Sequence, residues 1–264
     1  MPDGTTIIIA NWKMALDVIE SQSLTQKLVA AYGRDLRESH VRLALCPSYD
    51  SLSVVGQQLK NTKITLGAQD VFWQEKGAYT GEISASMLRA LGVSYVIIGH
   101  SERRKYLHED DQMVNQKIKA ALAAGLIPVL CVGETYEERA AGNTDLVIMR
   151  QVIEGLKGIP LSPEQQLVVA YEPVWVIGTG QAIQPPMAEH SSQLIRQSLI
   201  DLYPVAAVQQ QTRIIYGGSV DEHNILSYIS LPLMKGALVG GASTTAEKFI
   251  PLVTRIASYG HDAS

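Results

Sequence analysis

The chain alternates short, nearly unbroken runs of β-branched and aliphatic residues with longer stretches in which apolar residues return every three or four positions. The runs suit strands buried on both faces, and the longer period suits helices with one apolar stripe. Eight runs can be drawn: Thr6–Ala10, Val41–Cys46, Ile64–Ala68, Tyr95–Ile98, Pro128–Val132, Leu167–Tyr171, Arg213–Tyr216 and Ala237–Val239. A helical stretch follows each. It is clear in Leu16–Ala31, Met113–Ala124, Glu138–Leu156, Met187–Leu202 and Ala246–Ala257, and shorter after strands two, three and seven. Parallel strands covered by crossover helices produce this alternation, and eight such units close on themselves. The expectation is an α/β fold, a single (β/α)8 barrel in one domain over residues 1–264, because no Pro/Ser-rich linker divides the chain. An open doubly wound sheet fits less well, since no Gly-x-Gly-x-x-Gly follows the first run.

Composition narrows the function more than the fold. With 264 residues, 46% hydrophobic and 18% charged, the chain can bury a large core, and no segment is long and uniform enough to span a bilayer. A net charge of −4 offers no general attraction to nucleic acid or acidic membranes, so any anionic ligand has to be held locally. The opening Met1-Pro2-Asp3-Gly4-Thr5 has no basic segment leading into an apolar run, which points to the cytoplasm. Cys46 and Cys131 each close an apolar run without Cys-x-x-Cys spacing, so buried free thiols are expected, not a metal cluster or disulfide. Arg103-Arg104-Lys105, preceded by Glu102, reads as a solvated, ion-paired helix start.

In a barrel of this kind all the loops that follow the strands converge on one face, and chemistry gathers there. The residues arriving at that face are Asn11 and Lys13, Gln69-Asp70, His100-Ser101, Gly133-Glu134, Glu172, Gly217-Gly218-Ser219 and Gly240-Gly241. They bring an amine, an imidazole and a carboxylate from three different strands. The two Gly pairs follow the last two strands, where backbone N–H groups without Cβ atoms can encircle a phosphate, and Ser219 adds a hydroxyl. Lys13 suits neutralising a phosphate or an oxyanion. His100 opens a segment in which Ser101 can cap a short helix; a helix N-terminus disfavours the imidazolium and leaves a neutral donor. Glu172 is the candidate base, with Val174 and Ile177 as an apolar surrounding that raises its proton affinity. Glu102, next to Arg103 and Arg104, fits a structural ion pair better. His40, His108, His190 and the other histidines fall away from strand ends.

Tyr171-Glu172-Pro173-Val174-Trp175-Val176-Ile177-Gly178-Thr179-Gly180 joins the candidate base to a loop with Pro and Gly at its ends and an apolar body. Such a loop, about 173–180, can serve as a lid over a site that must be dry.

These stretches resemble the triosephosphate isomerase family over essentially the whole chain. The resemblance is carried by Asn11-Trp12-Lys13-Met14, Gly99-His100-Ser101-Glu102-Arg103-Arg104, Tyr171-Glu172-Pro173-Val174-Trp175 through Gly178-Thr179-Gly180, Tyr216-Gly217-Gly218-Ser219-Val220, and Leu238-Val239-Gly240-Gly241-Ala242-Ser243. It implies the TIM-barrel fold and interconversion of dihydroxyacetone phosphate and D-glyceraldehyde 3-phosphate, without metal or organic cofactor. It further implies Glu172 as the base, His100 moving protons between the two oxygens, and Lys13 with Asn11 stabilising the oxyanion. Gly178, Ser219, Gly240 and Gly241 would donate backbone N–H groups to the phosphate, and Glu102 would be catalytic or orienting. The long connection at about 69–84, with Phe72, Trp73 and Tyr79, matches a loop that enters a second subunit, with Thr80 near the partner's site, so a homodimer is implied. An isomerase of a four-carbon sugar phosphate and a non-catalytic sugar-phosphate-binding protein are the alternatives.

The chain departs from the family pattern at Ala15-Leu16, where Asn-Gly is common, at Lys235 in place of an aspartate, at Thr244 in place of a leucine, and at Val176 in place of a smaller alanine. Lys235 is expected to change the charge near the phosphate loop, and Val176 to alter how the lid packs.

Overall fold

Strand residues alternate between two buried environments, which is why their sequences show no polar alternation. In the computed structural model, which describes residues 4–32, 40–178 and 181–259, Ile7, Ile9, Ala44, Tyr95, Ile97, Val129, Val168, Ala170, Ile215 and Leu238 fill the inside of a closed barrel. Their neighbours Ile8, Ala10, Leu43, Val96, Leu130, Val169, Tyr216 and Val239 pack outward against helices. The strands are β1 (Thr6–Asn11), β2 (Val41–Cys46), β3 (Thr65–Ala68), β4 (Val93–Ile98), β5 (Ile127–Val132), β6 (Leu167–Tyr171), β7 (Thr212–Tyr216) and β8 (Met234–Val239). All pair parallel in sequence order, and β8 closes on β1 with Ile7 opposite Gly236. This is the (β/α)8 barrel expected from the pattern.

The outer layer consists of α1 (Val18–Tyr32), α2 (Leu52–Gln58), α3 (Ala85–Ala90), α4 (Ser101–Leu107), α5 (Asp111–Ala123), α6 (Tyr136–Ala140), α7 (Thr144–Leu156), α8 (Pro185–Leu202), α9 (Val205–Gln211), α10 (Ile225–Ile229) and α11 (Ala246–Tyr259). The single helix drawn over Glu138–Leu156 is two. Thr135 and Glu138 form a reciprocal capping box that starts α6, and Gly142 at φ +74° breaks the path before α7. Helix α9 has no counterpart in the sequence reading; its Val-Ala-Ala-Val-Gln-Gln-Gln is too short to show a stripe.

The connection after β3 is stapled at its base, where the Phe72 N–H donates to the Ile83 carbonyl at 2.8 Å. Phe72 packs on Trp73 and Tyr79 with ring centroids 4.1 and 4.7 Å apart, while residues 74–82 stand exposed. Beneath it, four charges are drawn into the protein. Lys117, 2% exposed, donates to both carboxylate oxygens of Asp70 at 2.7 and 2.9 Å and to Glu109, while Arg103 pairs with Asp70 at 2.8 Å and with Glu109 at 2.5 Å. The network ties the end of β3 to α4 and α5, and so fixes the helix that carries His100 and Glu102 at its start. Cys46 and Cys131 are buried free thiols.

No described helix is long and apolar enough to cross a membrane.

Candidate active site

Lys13 is held by backbone as much as by side chain. Its φ of +55° is uncommon for a residue with a Cβ, and its N–H donates to Asn11 Oδ1 at 3.1 Å while its carbonyl accepts from Gln69 Nε2 at 2.7 Å. The ammonium then meets Glu102 Oε1 at 2.5 Å. Glu102 therefore does not pair with Arg103 or Arg104. Residues one and two apart on a helix do not face each other, and those arginines turn to Asp70, Glu109 and Asp111 instead. Glu102 Oε2 also lies 3.6 Å from His100 Nδ1, so this carboxylate stands between the amine and the imidazole.

His100, not Ser101, caps α4: its Nδ1 accepts the N–H of Glu102 at 3.2 Å. Its Nε2 meets Glu172 Oε1 at 3.0 Å, and Glu172 Oε2 accepts the Ser101 N–H at 2.9 Å. Burial pushes the His100 pKa down, and the Glu172 and Glu102 carboxylates push it up and prevail in the pairwise balance. The capping bond acts against that result, because a protonated Nδ1 would place one donor against another. We assign the neutral tautomer with its proton on Nε2, donated to Glu172. Burial pushes the Glu172 pKa up, but His100, the Ser101 N–H and Lys13 together hold it below the usual carboxylate value. The carboxyl is 2% exposed and fully satisfied in this arrangement. To take a proton from carbon it has to exchange the Ser101 N–H for a substrate.

These groups open onto a cavity of about 730 Å3 lined by Asn11, Lys13, His100, Glu172, Ile177, Gly178, Gly217, Gly218, Ser219, Gly240 and Gly241. The glycines earn their place by close approach. A Cβ on Gly240 would meet Lys13 Cε at 3.2 Å, and one on Gly217 would meet Glu172 Cγ at 3.0 Å. Gly217 spends its own N–H on the Tyr171 carbonyl at 2.7 Å, so it is not one of the free donors of its loop. The Ser219 hydroxyl donates to the Val176 carbonyl at 3.3 Å and so holds the lid segment.

Within that segment, Val174–Val176 forms a 3-10 turn, Val176 is buried, and Gly178 turns at φ +78°. Thr179 and Gly180 lie outside the described residues. Ile177 lines the cavity as expected for an apolar wall, whereas Val174 is not among the lining residues. The anchor of the lid went unread in the sequence. Trp175 Nε1 donates to Glu134 Oε1 at 2.9 Å, the Arg139 guanidinium lies 4.3 Å over the indole, and the Tyr171 hydroxyl reaches Glu134 at 3.3 Å. Glu134 is wholly buried, and burial raises its pKa. Its position directly after Gly133, at a strand end, was the available signal.

Lys235 is not near the phosphate loop. It sits at the opposite end of β8 from Gly240-Gly241, roughly 16 Å away at strand rise, and lines a separate cavity.

Fold and site together define a class: a (β/α)8 barrel whose mouth holds a buried carboxylate, a neutral imidazole donor and an ammonium beside a glycine-lined anion cradle, a constellation suited to moving protons on a small anionic carbonyl compound. The family model described as triosephosphate isomerase matches residues 6–256. Proteins named triosephosphate isomerase from Dictyoglomus thermophilum, Chlorobium luteolum and Carboxydothermus hydrogenoformans are 46%, 45% and 44% identical over 248, 247 and 246 residues. Those alignments cover 94%, 94% and 93% of this chain and 98%, 97% and 96% of the relatives. The chain belongs to the triosephosphate isomerase family.

Proposed function

We propose that the chain interconverts dihydroxyacetone phosphate and D-glyceraldehyde 3-phosphate through an enediolate, as an aldose-ketose isomerase of glycolysis and gluconeogenesis. The observation that carries this reading is the meeting of Glu172, His100 and Lys13 on one cavity that Ser219, Gly240 and Gly241 also line. Glu172 removes the proton from the carbon beside the carbonyl and returns it to the neighbouring carbon. His100 donates through Nε2 to the oxygen that gains charge, and it can do so as a neutral ring because its other nitrogen is occupied by the Glu102 N–H. Lys13 places a cation against the same oxygens, with Asn11 fixing its backbone. Glu102 is a positioning residue, since it holds the Lys13 ammonium. Backbone N–H groups of Gly178, Ser219, Gly240 and Gly241 take the phosphate. Closure of the lid expels water, which strengthens these interactions and keeps the enediolate from losing its phosphate.

We propose further that the chain is one domain, acts in the cytoplasm and works as a homodimer. Support for the dimer comes from apolar side chains left in water: Met14 is 97% exposed, Met87 50%, Tyr79 44% and Tyr49 40%. Thr80 is exposed on the same loop as Tyr79.

The test is steady-state turnover of the purified chain on both triose phosphates and on a four-carbon aldose phosphate. A clear preference in kcat/KM for the trioses is expected. Phosphate binding without turnover would replace the reading by a sensor, and preference for the longer sugar by the alternative isomerase.

A further inference from the structure

The two groups bonded to the Glu172 carboxylate, the His100 ring at 3.0 Å and the Ser101 N–H at 2.9 Å, both belong to the joint between β4 and α4. That joint turns on Gly99, whose φ is +73°, a region that glycine enters and leaves at little cost. The glycine makes the turn possible but does not hold it. Arg104, in the first turn of α4, does. Its Nε–H donates to the Gly99 carbonyl at 2.8 Å, and its Nη1 donates to Asp111 Oδ1, in the first turn of α5, at 2.7 Å. The other oxygen of Asp111 lies 3.4 Å from Arg150 Nε, so this carboxylate is held from two sides. A side chain on residue 99 would crowd the guanidinium: a Cβ there would lie 3.1 Å from Arg104 Nη2 and 2.8 Å from Val114 Cγ2.

An arginine present only for its ion pair would set two nitrogens of its fork on the carboxylate, the strongest arrangement open to it. Arg104 does not. One outer nitrogen meets Asp111, the other is buried with no hydrogen-bond partner among the described residues, and the inner Nε goes to the backbone of Gly99. A buried donor is left unmade, which is costly, and what the arrangement secures in return is the orientation of one peptide group. We propose that Arg104 is a positioning residue of the reaction: it locks the Gly99–His100 peptide so that the His100 ring and the Ser101 N–H both point at Glu172. The inference rests on the roles proposed above for Glu172 and His100. Arg104 touches no reacting atom. Without its bond the Gly99 peptide can rotate within the shallow wells of a glycine, and His100 and the start of α4 swing with it. Small displacements of a reacting group are enough to slow the chemistry, while the phosphate loops on β7 and β8 stay where they are.

The test compares Arg104→Lys with Asp111→Asn in the full chain. In a lysine a carbon takes the place of Nε and the one nitrogen falls at the outer end, beside Asp111, so the charge stays and the bond to Gly99 is lost. Asp111→Asn does the reverse, removing the charge that faces Arg104 and Arg150 and leaving the Gly99 bond in place. For Arg104→Lys, kcat on dihydroxyacetone phosphate should fall by at least about tenfold with KM within about threefold of the parent. The His100 imidazole nitrogen and Ser101 amide resonances, read by NMR without substrate, should move. For Asp111→Asn, kcat should stay within about twofold and both resonances should stay in place, while the thermal midpoint falls further than in Arg104→Lys, because a half-hidden guanidinium has lost its counter-charge. Should Arg104→Lys not fold, Arg104→Gln, whose amide is too short to span both partners, is read by the same measures. Unmoved resonances with kcat within about twofold of the parent in the Arg104 variant, or losses of kcat that merely follow the losses of thermal midpoint in both variants, would overturn the proposal. If the parent itself turns over neither triose phosphate, the reaction proposed above fails, and the resonances alone decide whether Arg104 sets the His100 joint.

Discussion

Replacing Gly217 by Ala tests how tightly the base is held. The added Cβ would lie 3.0 Å from Glu172 Cγ and 3.0 Å from the Tyr171 carbonyl oxygen, several tenths of an ångström inside ordinary contact. The carbonyl cannot yield freely, because the Gly217 N–H is bonded to it at 2.7 Å. The Glu172 side chain is the part that can move, and moving it disturbs a carboxylate set 3.0 Å from His100 Nε2 and 2.9 Å from the Ser101 N–H. A displacement of about 0.5–1 Å at a reacting group costs roughly 10–100-fold in rate. The overpacking itself should cost about 1–3 kcal/mol, lowering the melting temperature by about 3–10 °C in a chain of this size. Steady-state kinetics with dihydroxyacetone phosphate, paired with thermal unfolding, gives both numbers. The expected result is a fall in kcat of that order with KM within about threefold of the parent, since the Gly217 N–H is bonded to the Tyr171 carbonyl and is not one of the phosphate donors. A folded variant with kcat within about twofold of the parent would refute the claim that this glycine exists to seat the base.

Lys117→Met should destabilise the fold by about 3–5 kcal/mol, because it leaves Asp70 and Glu109 buried with only Arg103 between them; chemical denaturation measures this, and a loss under about 1 kcal/mol would contradict it. Trp175→Phe removes the N–H that holds the wholly buried Glu134, so the lid should leave its described position more readily, by about 10–100-fold in population, detectable by relaxation dispersion at Ile177 and Gly178. The depressed Glu172 pKa means that the folded protein binds this proton less readily than the unfolded chain. Its contribution to stability is therefore present above the ordinary value of 4.5 and is lost as pH falls through the lower folded value. Denaturation of the parent and of Glu172→Gln across pH should show a stability difference that is constant near neutrality and changes only below about pH 4.5; a change centred near pH 7 would assign it to another group.

The barrel was legible because burial on both strand faces writes continuous apolar runs, and the mouth was legible because residues that follow strands must converge there. Glu172, His100, Lys13, Ser219, Gly240 and Gly241 all follow strands in the sequence, the family resemblance supplies their expected roles, and the structure brings them to one cavity. Partners were less legible. Glu102 was read against its sequence neighbours, but helix geometry turns Arg103 and Arg104 away and delivers Lys13, 89 positions distant. Lys235 was read by its nearness in sequence to Gly240, but the strand between them spans the barrel from one face to the other. The Glu134–Trp175 anchor joins two loops across 41 positions, a distance at which neither residue announces the other. Local chemistry can be read from spacing, whereas pairing between elements depends on which way each side chain leaves its backbone.

The central claim is that Glu172 carries the proton. Glu172→Gln keeps the size of the side chain, and its one amide oxygen can replace only one of the two carboxylate acceptors, at the Ser101 N–H or at His100 Nε2, but it cannot take a proton from carbon. Turnover of dihydroxyacetone phosphate by this variant, measured alongside binding of inorganic phosphate at the mouth, should fall by at least about a hundredfold while phosphate still binds. Turnover within tenfold of the parent would show that another group is the base.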